Sequence, residues 1–434
     1  MDEPVVVVDG LRTPYAKAWG AFDALPADEL GRIVVAELLT RLDLDPLQVD
    51  AVVVGNVAQP GEAANIARVI ALRAHLPEAI PAHTVHRNCA SGMEAIAEGV
   101  NLIRLGQARV VVAGGVESMS NIPLLFSREL QRWLMGWQRA RRPVDKLVAL
   151  TLLRPAWFKP VVGLRLGLTD PVCGLNMGET AEVVARDFAI SRVEQDRFAL
   201  RSHQRTEQAI DAGRLAEEIV PVYAPLGGAP SPACTAVVDD DGVRRGQSLE
   251  ALAKLKPVFD RAYGTITAGN ASQITDGGAA VVLMAEGDAR ARGYLPLGRV
   301  TAWAFAGNDP ARMGLGPVHA IRKLLKATGL TLADFDLVEI NEAFAAQVLG
   351  CLRALDSSAY FRDHFDGEPP LGAIDEARLN VNGGAIALGH PVGSSGTRLL
   401  LTLLKELRRR SLARGLATLC IGGGQGAAFV VEVC

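Results

Sequence analysis

The six cysteines of this 434-residue chain form no C-x-x-C pair. Zinc sites and redox dithiols commonly use such closely spaced pairs, and disulfide-stapled domains are short and dense in cysteine. Neither description fits a chain of this length and cysteine content. We therefore expect reduced thiols, no bound metal and a cytoplasmic protein.

The chain also lacks a strong charge of either sign and an unbroken apolar segment of membrane-spanning length. Its net charge is −3 at pH 7, which gives no general attraction to nucleic acid. The acidic N-terminus lacks the basic and apolar parts of a signal peptide. The apolar stretch 147–168 is interrupted by basic residues and prolines, whereas a spanning helix needs about twenty mostly apolar residues. With 49% hydrophobic residues, the composition predicts a globular protein with a large core.

Predicted strands and helices alternate in the first part of the chain. Short apolar runs predict strands, and apolar residues at helical spacing predict helices. The strands are expected at 4–8, 50–54 and 108–113, the last ending at Gly114-Gly115, and the helices at 27–42, 63–74 and 91–105. This alternation is typical of an α/β fold.

A similar order returns near the C-terminus. A strand at 337–340 leads to Asn341, a glycine-rich loop leads to His390, and a helix at 394–407 is followed by a strand at 416–420. This indicates two related halves, although an ordinary α/β fold without duplication is the alternative. Between the halves we expect a helical region over 180–211, loops and short strands over 220–241, and a strand at 279–284.

The predicted organisation is an N-terminal half of 1–122 and 249–295, an inserted loop domain of 123–248 and a C-terminal half of 296–434. From Arg128 to Arg165 the insertion has nine Arg and Lys residues against two acidic residues, a net charge of +7, with three tryptophans among them. Basic residues with tryptophan suit the surface of an anionic membrane. The alternatives are a surface that docks a partner subunit and a cover over a ligand site, with the charges facing either a polyanionic ligand or plain solvent.

Cys89 is the first candidate for a reactive side chain. It lies between a predicted strand and a predicted helix. A helix N-terminus offers unpaired N–H groups and partial positive charge, which lower the pKa of a thiol. A thiolate there would attack a carbonyl or thioester, and the Cys89 N–H would help to hold an oxyanion. The alternative is an inert buried cysteine, which the neighbouring Ser91-Gly92 disfavours.

Three further loops carry candidate residues. His390 would take the proton of Cys89, with a structural core histidine as the alternative. Cys420 ends a strand just before Gly422, and the glycines there lack the Lys-Ser/Thr of a phosphate-binding loop. Asn341 would bind a water or contribute to an oxyanion site. The neighbouring Glu342, and also His83 and His86, we interpret as structural.

Together these loops resemble the four catalytic loops of the thiolase family in order and spacing. The matching motifs are Cys89-x-Ser91, Asn341-Glu342-Ala343-Phe344, Gly389-His390-Pro391 and Cys420-x-Gly422, with further matches at 113–120, 177–182 and 267–272. The resemblance covers nearly the whole chain. It implies an acyltransferase that acts on coenzyme A thioesters.

The resemblance implies a role for each catalytic residue. Cys89 would attack the 3-keto carbon and hold the acyl group as a thioester, with His390 as its base. Cys420 would protonate the departing acetyl-CoA enolate and then deprotonate the incoming CoA. His390 and a water held by Asn341 would form one oxyanion hole, and the N–H groups of Cys89 and Gly422 the other.

The resemblance also implies the surroundings of the site and the assembly. Ser272 and Met177 would line the path of the pantetheine arm, and Phe344 would pack near the acyl group. The implied fold has two similar βαβ-type halves in an α/β/α/β/α layering, with an inserted loop domain. The implied assembly is a homodimer or homotetramer. Coenzyme A would be a substrate, and no cofactor would be tightly bound.

Within the family, the basic insertion and the stretch 357–371 resemble the 3-ketoacyl-CoA thiolase subunit of fatty-acid oxidation complexes. That implies thiolytic cleavage in β-oxidation and an enoyl-CoA hydratase/3-hydroxyacyl-CoA dehydrogenase subunit as a partner. It also leaves peripheral membrane contact through 128–168 as a hypothesis. Asn341 departs from the subgroup, which usually has histidine there, so a biosynthetic thiolase that condenses two acetyl-CoA is the alternative. A decarboxylating ketoacyl synthase would generally lack Cys420, and a non-catalytic lipid-binding relative would not need four intact loops.

Overall fold

The computed structural model describes residues 3–225 and 234–434. Its strands, numbered in chain order, are β1 (Val5–Arg12), β2 (Ala16–Lys17), β3 (Ala51–Gly55), β4 (Ala82–Val85), β5 (Val110–Ser118), β6 (Leu124–Leu125), β7 (Val161–Val162), β8 (Val222–Pro225), β9 (Cys234–Val237), β10 (Thr275–Ala285), β11 (Gly298–Gly307), β12 (Leu337–Ile340), β13 (Arg414–Ile421) and β14 (Gln425–Glu432). Its helices are α1 (Ala27–Arg41), α2 (Ile66–Arg73), α3 (Ser91–Arg104), α4 (Arg128–Arg139), α5 (Pro143–Thr151), α6 (Gly163–Gly167), α7 (Met177–Asp187), α8 (Arg192–Asp211), α9 (Leu249–Ala253), α10 (Glu286–Ala291), α11 (Gly316–Thr328), α12 (Ala345–Leu355), α13 (Ser358–His364), α14 (Ala385–Leu388) and α15 (Val392–Arg409).

The main sheet has ten strands and is built from two halves with the same strand order. The order is β12-β13-β14-β11-β1-β10-β5-β3-β4, with β2 paired to β10. On one side β3 and β5 are parallel, and β10 and β1 follow antiparallel. On the other side β12 and β13 are parallel, and β14 and β11 follow antiparallel. The antiparallel contact of β1 with β11 joins the halves, which confirms the internal relationship that the sequence pattern indicated.

Alternate residues of the strands belong to different hydrophobic layers, as expected for strands buried on both faces. In β1, Val5 and Val7 face a central layer shared with α3 and α15, whereas Val6 and Val8 pack with α1 and α2. In the C-terminal half, Phe429 faces the same central layer, and its neighbour Val430 packs with α11 and α12. The two halves of the sheet thus form the two β layers, with α3 and α15 between them in the shared central layer. The order of layers is α/β/α/β/α, as the resemblance implied.

Two boundaries predicted from the sequence are wrong. The strand expected to end at Gly114-Gly115 continues as β5 to Ser118. These glycines are required by close packing rather than by a turn, because a Cβ on Gly115 would lie 1.9 Å from the carbonyl oxygen of Gly393. The helical region expected over 180–211 is two helices, α7 and α8. Ser191 and Glu194 form a capping box that begins α8.

The segment between β5 and β10 leaves the sheet and returns to the neighbouring strand, since β5 and β10 pair directly. It contains two small antiparallel sheets of two strands each, β6–β7 and β8–β9. The predicted domain boundaries stay a prediction. Among the helices of the described residues, none has both the length and the apolar character needed to cross a membrane.

Candidate active site

Cys89 lies in a tight turn between β4 and α3, as predicted. Asn88 has a positive φ of 43°, a conformation that asparagine tolerates better than most residues. The turn is closed by the hydrogen bond from Ser91 N to the Asn88 carbonyl at 2.9 Å, and Ser91 Oγ donates to the same carbonyl at 2.7 Å. The Cys89 thiol is thereby held at the N-terminal end of a central helix.

The expected lowering of the Cys89 pKa by the helix N-terminus is wrong for this structure. Burial raises the pKa of the thiol, and the carboxylate of Glu117 raises it further. The backbone N–H groups of Gly422 and of Cys89 itself act in the opposite direction, but they do not outweigh the loss of solvation. The same two N–H groups are those that the resemblance assigns to an oxyanion hole, and both act on the Cys89 sulfur.

The second thiol, Cys420, lies at the end of β13, as expected. It is buried, and burial raises its pKa, with the nearby charge of Cys89 as the next cause. The turn to β14 contains Gly423 and Gly424, whose φ values of 88° and 75° favour glycine. Asn88 Nδ2 donates to the Gly422 carbonyl at 2.7 Å. This bond ties the Cys89 loop directly to the Cys420 loop.

His390 is buried between two polar partners. Its Nδ1 is 2.5 Å from Ser395 Oγ, and its Nε2 is 3.4 Å from Asn341 Nδ2. Because Ser395 Oγ donates to the Pro391 carbonyl at 3.1 Å, Nδ1 carries the hydrogen and Nε2 is the accepting nitrogen. Burial lowers the pKa of His390 to about 3, with the charge of Arg398 as the second cause. The imidazole is therefore neutral at pH 7.

Asn341 and Glu342 have different environments although they are adjacent. Asn341 is fully buried, and its Oδ1 has no hydrogen-bond partner among the described residues. Glu342 accepts hydrogen bonds from Ser202 Oγ at 2.5 Å, Asn380 Nδ2 at 2.9 Å and Ile386 N at 3.2 Å. Glu342 is thus the structural hydrogen-bond partner that we expected, whereas Asn341 presents a free polar oxygen on the His390 side.

A cavity of about 620 Å³ opens beside Cys89. Of the predicted site residues, Cys89, Met177 and Gly422 line it. Phe344 packs in one hydrophobic cluster with Cys420 and Met177. Ser272 is placed beside this cluster by the bond from its N–H to the Ala343 carbonyl at 2.9 Å, but it is not part of the cavity wall.

The inserted segment forms much of the remaining cavity wall. Leu125, Leu164, Leu166, Leu168 and Val172 line it together with the Cys89 loop. The nine basic side chains of the segment are all exposed instead: Arg128, Arg132, Arg139, Arg141, Arg142, Lys146, Arg154, Lys159 and Arg165. The insertion therefore covers the site with apolar residues and turns its positive charge outward.

Sequence reasoning missed three residues that hold the site together. Asn88 joins the two thiol loops, Ser395 fixes the His390 ring, and Glu117 lies buried between elements of both halves. The sequence offered only weak signals for these three residues. Asn88 directly precedes Cys89, Ser395 lies one turn into the helix after His390, and Glu117 is part of a matching motif to which we gave no role.

The whole chain is similar to known thiolases. A family model described as Thiolase, N-terminal domain matches residues 5–287, and one described as Thiolase, C-terminal domain matches residues 294–433. The chain is 40% identical over 430 residues to 3-ketoacyl-CoA thiolases of Yersinia enterocolitica and Pectobacterium atrosepticum, which covers 99% of this chain and 97% and 96% of those proteins.

Solved structures show the same similarity. The Bacillus anthracis acetyl-CoA acetyltransferase aligns with a TM-score of 0.86 and 37% identity, covering 100% of this chain and 99% of that one. Human mitochondrial 3-ketoacyl-CoA thiolase in complex with CoA aligns with a TM-score of 0.84 and 36% identity, covering 100% of this chain and 98% of that one.

Proposed function

The chain belongs to the thiolase family, and we propose that it cleaves 3-ketoacyl-CoA with coenzyme A into acetyl-CoA and an acyl-CoA that is two carbons shorter. One observation carries this proposal above the others. Asn88, directly before Cys89, donates through Nδ2 to the carbonyl of Gly422 at 2.7 Å, and Gly422 follows Cys420 by two residues, so the loops of the two thiols meet. Two thiols in one site suit a reaction that needs both a nucleophile and a proton donor.

In the first half-reaction, His390 Nε2 takes the proton of the Cys89 thiol, and the sulfur attacks the 3-keto carbon. The bond between C2 and C3 then breaks, and the electron pair leaves on the acetyl-CoA enolate. Cys420 gives its proton to that enolate carbon. The acyl group remains on Cys89 as a thioester. The hydrogen bonds of Ser395 leave Nε2 of His390 unprotonated, as its role as the base requires.

In the second half-reaction, coenzyme A replaces the acetyl-CoA. The Cys420 thiolate takes the proton of the CoA thiol, and the CoA sulfur attacks the thioester carbon. Cys89 leaves and regains its proton from His390. The N–H groups of Cys89 and Gly422 suit the stabilisation of a negative oxygen on the thioester carbon. The free Oδ1 of buried Asn341 supports a bound water as part of the other oxyanion site.

The cavity beside Cys89 favours the degradative function over condensation of two acetyl-CoA. A volume of about 620 Å³ is in the range of pockets for sizeable ligands, and its wall includes several leucines of the insertion. With the pantetheine arm at Met177, an acetyl group would leave the leucines of the insertion without contact, whereas an alkyl chain on the 3-keto carbon would cover them.

The proposal is tested by thiolysis of a chain-length series of 3-ketoacyl-CoA substrates. We expect the wild type to cleave long-chain substrates better than acetoacetyl-CoA, and Leu164→Trp to lose more activity on the long chains. Leu152→Trp, an exposed leucine of the insertion outside the cavity wall, is the matched control. Cys89→Ala should abolish turnover and acyl-enzyme formation, whereas Cys434→Ala should not. Preference for acetoacetyl-CoA, unchanged by Leu164→Trp, would favour the biosynthetic alternative.

The exposed surface of α4 and α5 supports a second proposal, peripheral binding to an anionic membrane. Helix α5 has no buried residue, and Val144 and Leu147 are each 67% exposed. Trp133 stacks on Trp137 with ring centroids 5.4 Å apart. Exposed apolar side chains beside exposed arginines suit the interface of a bilayer with negative headgroups.

Co-sedimentation with liposomes that contain phosphatidylserine tests this second proposal. The wild type should bind, and the Arg139/Arg141/Arg142→Glu variant should bind much less, with the difference shrinking as salt rises. Leu47→Asp/Leu295→Asp alters leucines of similar exposure elsewhere and should bind like the wild type. Equal, salt-insensitive absence of binding in wild type and triple variant would end the membrane proposal, leaving a partner subunit as the occupant to test.

We also propose that several copies of the chain assemble. Edge strand β4 and the Arg87 side chain, which stacks over Phe305 at 4.0 Å, are partly exposed next to Cys89. An edge strand of this kind offers unpaired backbone groups to another chain. This supports the homodimer or homotetramer that the resemblance implied. A partner with hydratase and dehydrogenase activity rests on the resemblance alone.

A further inference from the structure

Glu117 is a fully buried carboxylate that accepts four hydrogen bonds. Asn56 Nδ2 donates to Oε1 at 3.1 Å and Ala58 N donates to Oε1 at 3.0 Å. Val57 N donates to Oε2 at 3.1 Å and Gly393 N donates to Oε2 at 3.0 Å. Each carboxylate oxygen thus has two donors, an arrangement that stabilises the ionised form.

These donors come from two opposite sides of the site. Val57 and Ala58 belong to the loop after β3 and line the cavity with Cys89. Gly393 is the second residue of α15, in the other half of the molecule. The N-cap residue of α15 is Pro391, which makes no side-chain cap. Glu117 therefore supplies to α15 the acceptor and the negative charge that a helix N-terminus favours.

The first turn of α15 also fixes the His390 ring, through the contact of 2.5 Å between Nδ1 and Ser395 Oγ. The start of the helix has little room to move toward α3. A Cβ on Gly92 would lie 2.9 Å from the Gly393 carbonyl oxygen. A displacement of this turn would therefore move His390 relative to Cys89.

We propose that Glu117 is a positioning residue, which holds the start of α15, and with it His390, against the loop on the Cys89 side. The consequence for turnover rests on the proposed function, since it assumes that His390 acts as the base for Cys89. The structural part of the proposal, that the carboxylate keeps Asn56–Ala58 and Gly393 together, is independent of the proposed function.

Protonation of Glu117 should loosen this contact, because a carboxylic acid donates at one oxygen and no longer accepts four hydrogen bonds. Burial raises the pKa of Glu117 to about 7. The groups that face the carboxylate from the loop after β3 and from α15 are amide donors. On β10 the residue paired with Glu117 is Gly277. From the turn before α3, the group that faces the Glu117 carboxylate is the thiol of Cys89. The pKa of His390 is about 3 and those of both thiols are raised. Burial also raises the pKa of Glu339, which faces Arg398 of α15, to about 8, so an acid limb of kcat near pH 7 belongs to Glu117 only where Glu117→Gln removes it.

The test compares Glu117→Gln with Asp50→Asn. Asp50 accepts hydrogen bonds from Arg109 N and Val110 N at the opposite end of β5, so its variant controls for loss of a carboxylate that binds backbone donors. We expect Glu117→Gln to lose about 100-fold in kcat, with a much smaller change in KM, and to lose the acid limb. Hydrogen exchange of peptides that cover 56–58 and 391–396 should become faster. Asp50→Asn should show none of these changes.

Several outcomes would overturn the proposal. They are wild-type exchange in both segments of Glu117→Gln, faster exchange with unchanged kcat, or lost kcat with unchanged exchange. If Glu117→Gln does not fold, Glu117→Asp, which keeps the charge on a shorter side chain, takes its place, and wild-type exchange in both segments of that variant would refute the positioning role. If the wild type shows no thiolysis, the proposed function fails, while the exchange comparison still decides whether Glu117 holds α15.

Discussion

Cys89 and Cys420 have different surroundings although they share a site. Cys89 lines the cavity and is partly exposed, whereas Cys420 is buried beneath it. Burial raises the pKa of both thiols. A substrate that displaces water and offers its carbonyl to the two N–H groups would meet the sulfur and its oxyanion site together. We infer that nucleophilicity at Cys89 depends on proton transfer to His390 rather than on a thiolate held by the helix.

Glu117 gives a prediction about stability at the scale of one residue. Burial raises its pKa from the usual 4.5 to about 7 in the folded protein. The folded state therefore retains a proton that the unfolded chain releases, and stability falls as pH rises from about 4.5 to about 7. Glu117→Gln has no such proton. The free energy of unfolding of the wild type relative to this variant should decrease by up to about 3 kcal/mol across that pH range.

Urea unfolding of both proteins at several pH values measures this difference. Asp50→Asn serves again as the control for removal of a carboxylate that accepts backbone hydrogen bonds. A difference between wild type and Glu117→Gln that stays constant, or grows as pH rises from 4.5 to 7, would show that the carboxyl is not protonated in the folded protein at neutral pH.

The sequence pointed to the proposed catalytic residues more readily than to the residues that hold them in place. Cys89, His390 and Cys420 could be found because each lies in a local motif. Ser395 and Glu117 could not be assigned from the sequence. Ser395 contacts Nδ1 of His390 on the preceding loop, and Glu117 accepts a hydrogen bond from the Gly393 N–H, which is 276 residues away in sequence. The low pKa predicted for Cys89 was wrong because local helix geometry says nothing about burial in the folded molecule.

At the scale of elements, the two central helices approach each other through glycine. A Cβ on Gly92 of α3 would lie 2.5 Å from Thr397 Oγ1 of α15, and one on Gly396 would lie 2.8 Å from Met93 N. The N-terminal turns of α3 and α15 follow Cys89 and His390 in sequence. Their close packing therefore sets the separation of the nucleophile loop from the histidine loop.

Gly92→Ala should separate these helices and reduce the free energy of unfolding by about 1–3 kcal/mol through overpacking, with a loss of thiolysis. Gly136→Ala is the matched change in α4, where nothing lies within 4 Å of the added Cβ. It should stabilise that helix by about 0.5–1 kcal/mol. Thermal unfolding and thiolysis of both variants measure the effects, and a Gly92→Ala protein as stable and active as the wild type would contradict the packing described.

Element boundaries show where sequence patterns were insufficient. Glycines 114 and 115 were interpreted as a strand end, but they are interior to β5 because neighbouring backbones approach them. The break between α7 and α8 was missed although Ser191-x-x-Glu194 is a capping box that the sequence displays. The first error needs tertiary information to correct. The second could have been avoided.

At the scale of the whole molecule, alternation of strands and helices predicted the α/β class, and the recurrence of loop, helix and strand indicated two halves. The strand order could not be derived from these patterns, because β1 pairs with both β10 and β11 across long sequence distances. That pairing brings the Cys89 and Cys420 loops to one site. The basic side chains of the insertion are exposed in the structure, whereas its contribution to the apolar cavity wall became visible only in the folded chain.

The central claim, that two thiols divide the chemistry, is tested most directly with Cys420→Ala. The variant is incubated with a labelled acyl-CoA, and the mass of the Cys89 peptide is measured together with deuterium exchange at the α-carbon of acetyl-CoA. We predict an acyl group on Cys89, no exchange at the α-carbon and almost no thiolysis. Near wild-type thiolysis by Cys420→Ala, or exchange at the wild-type rate, would contradict the two-thiol mechanism.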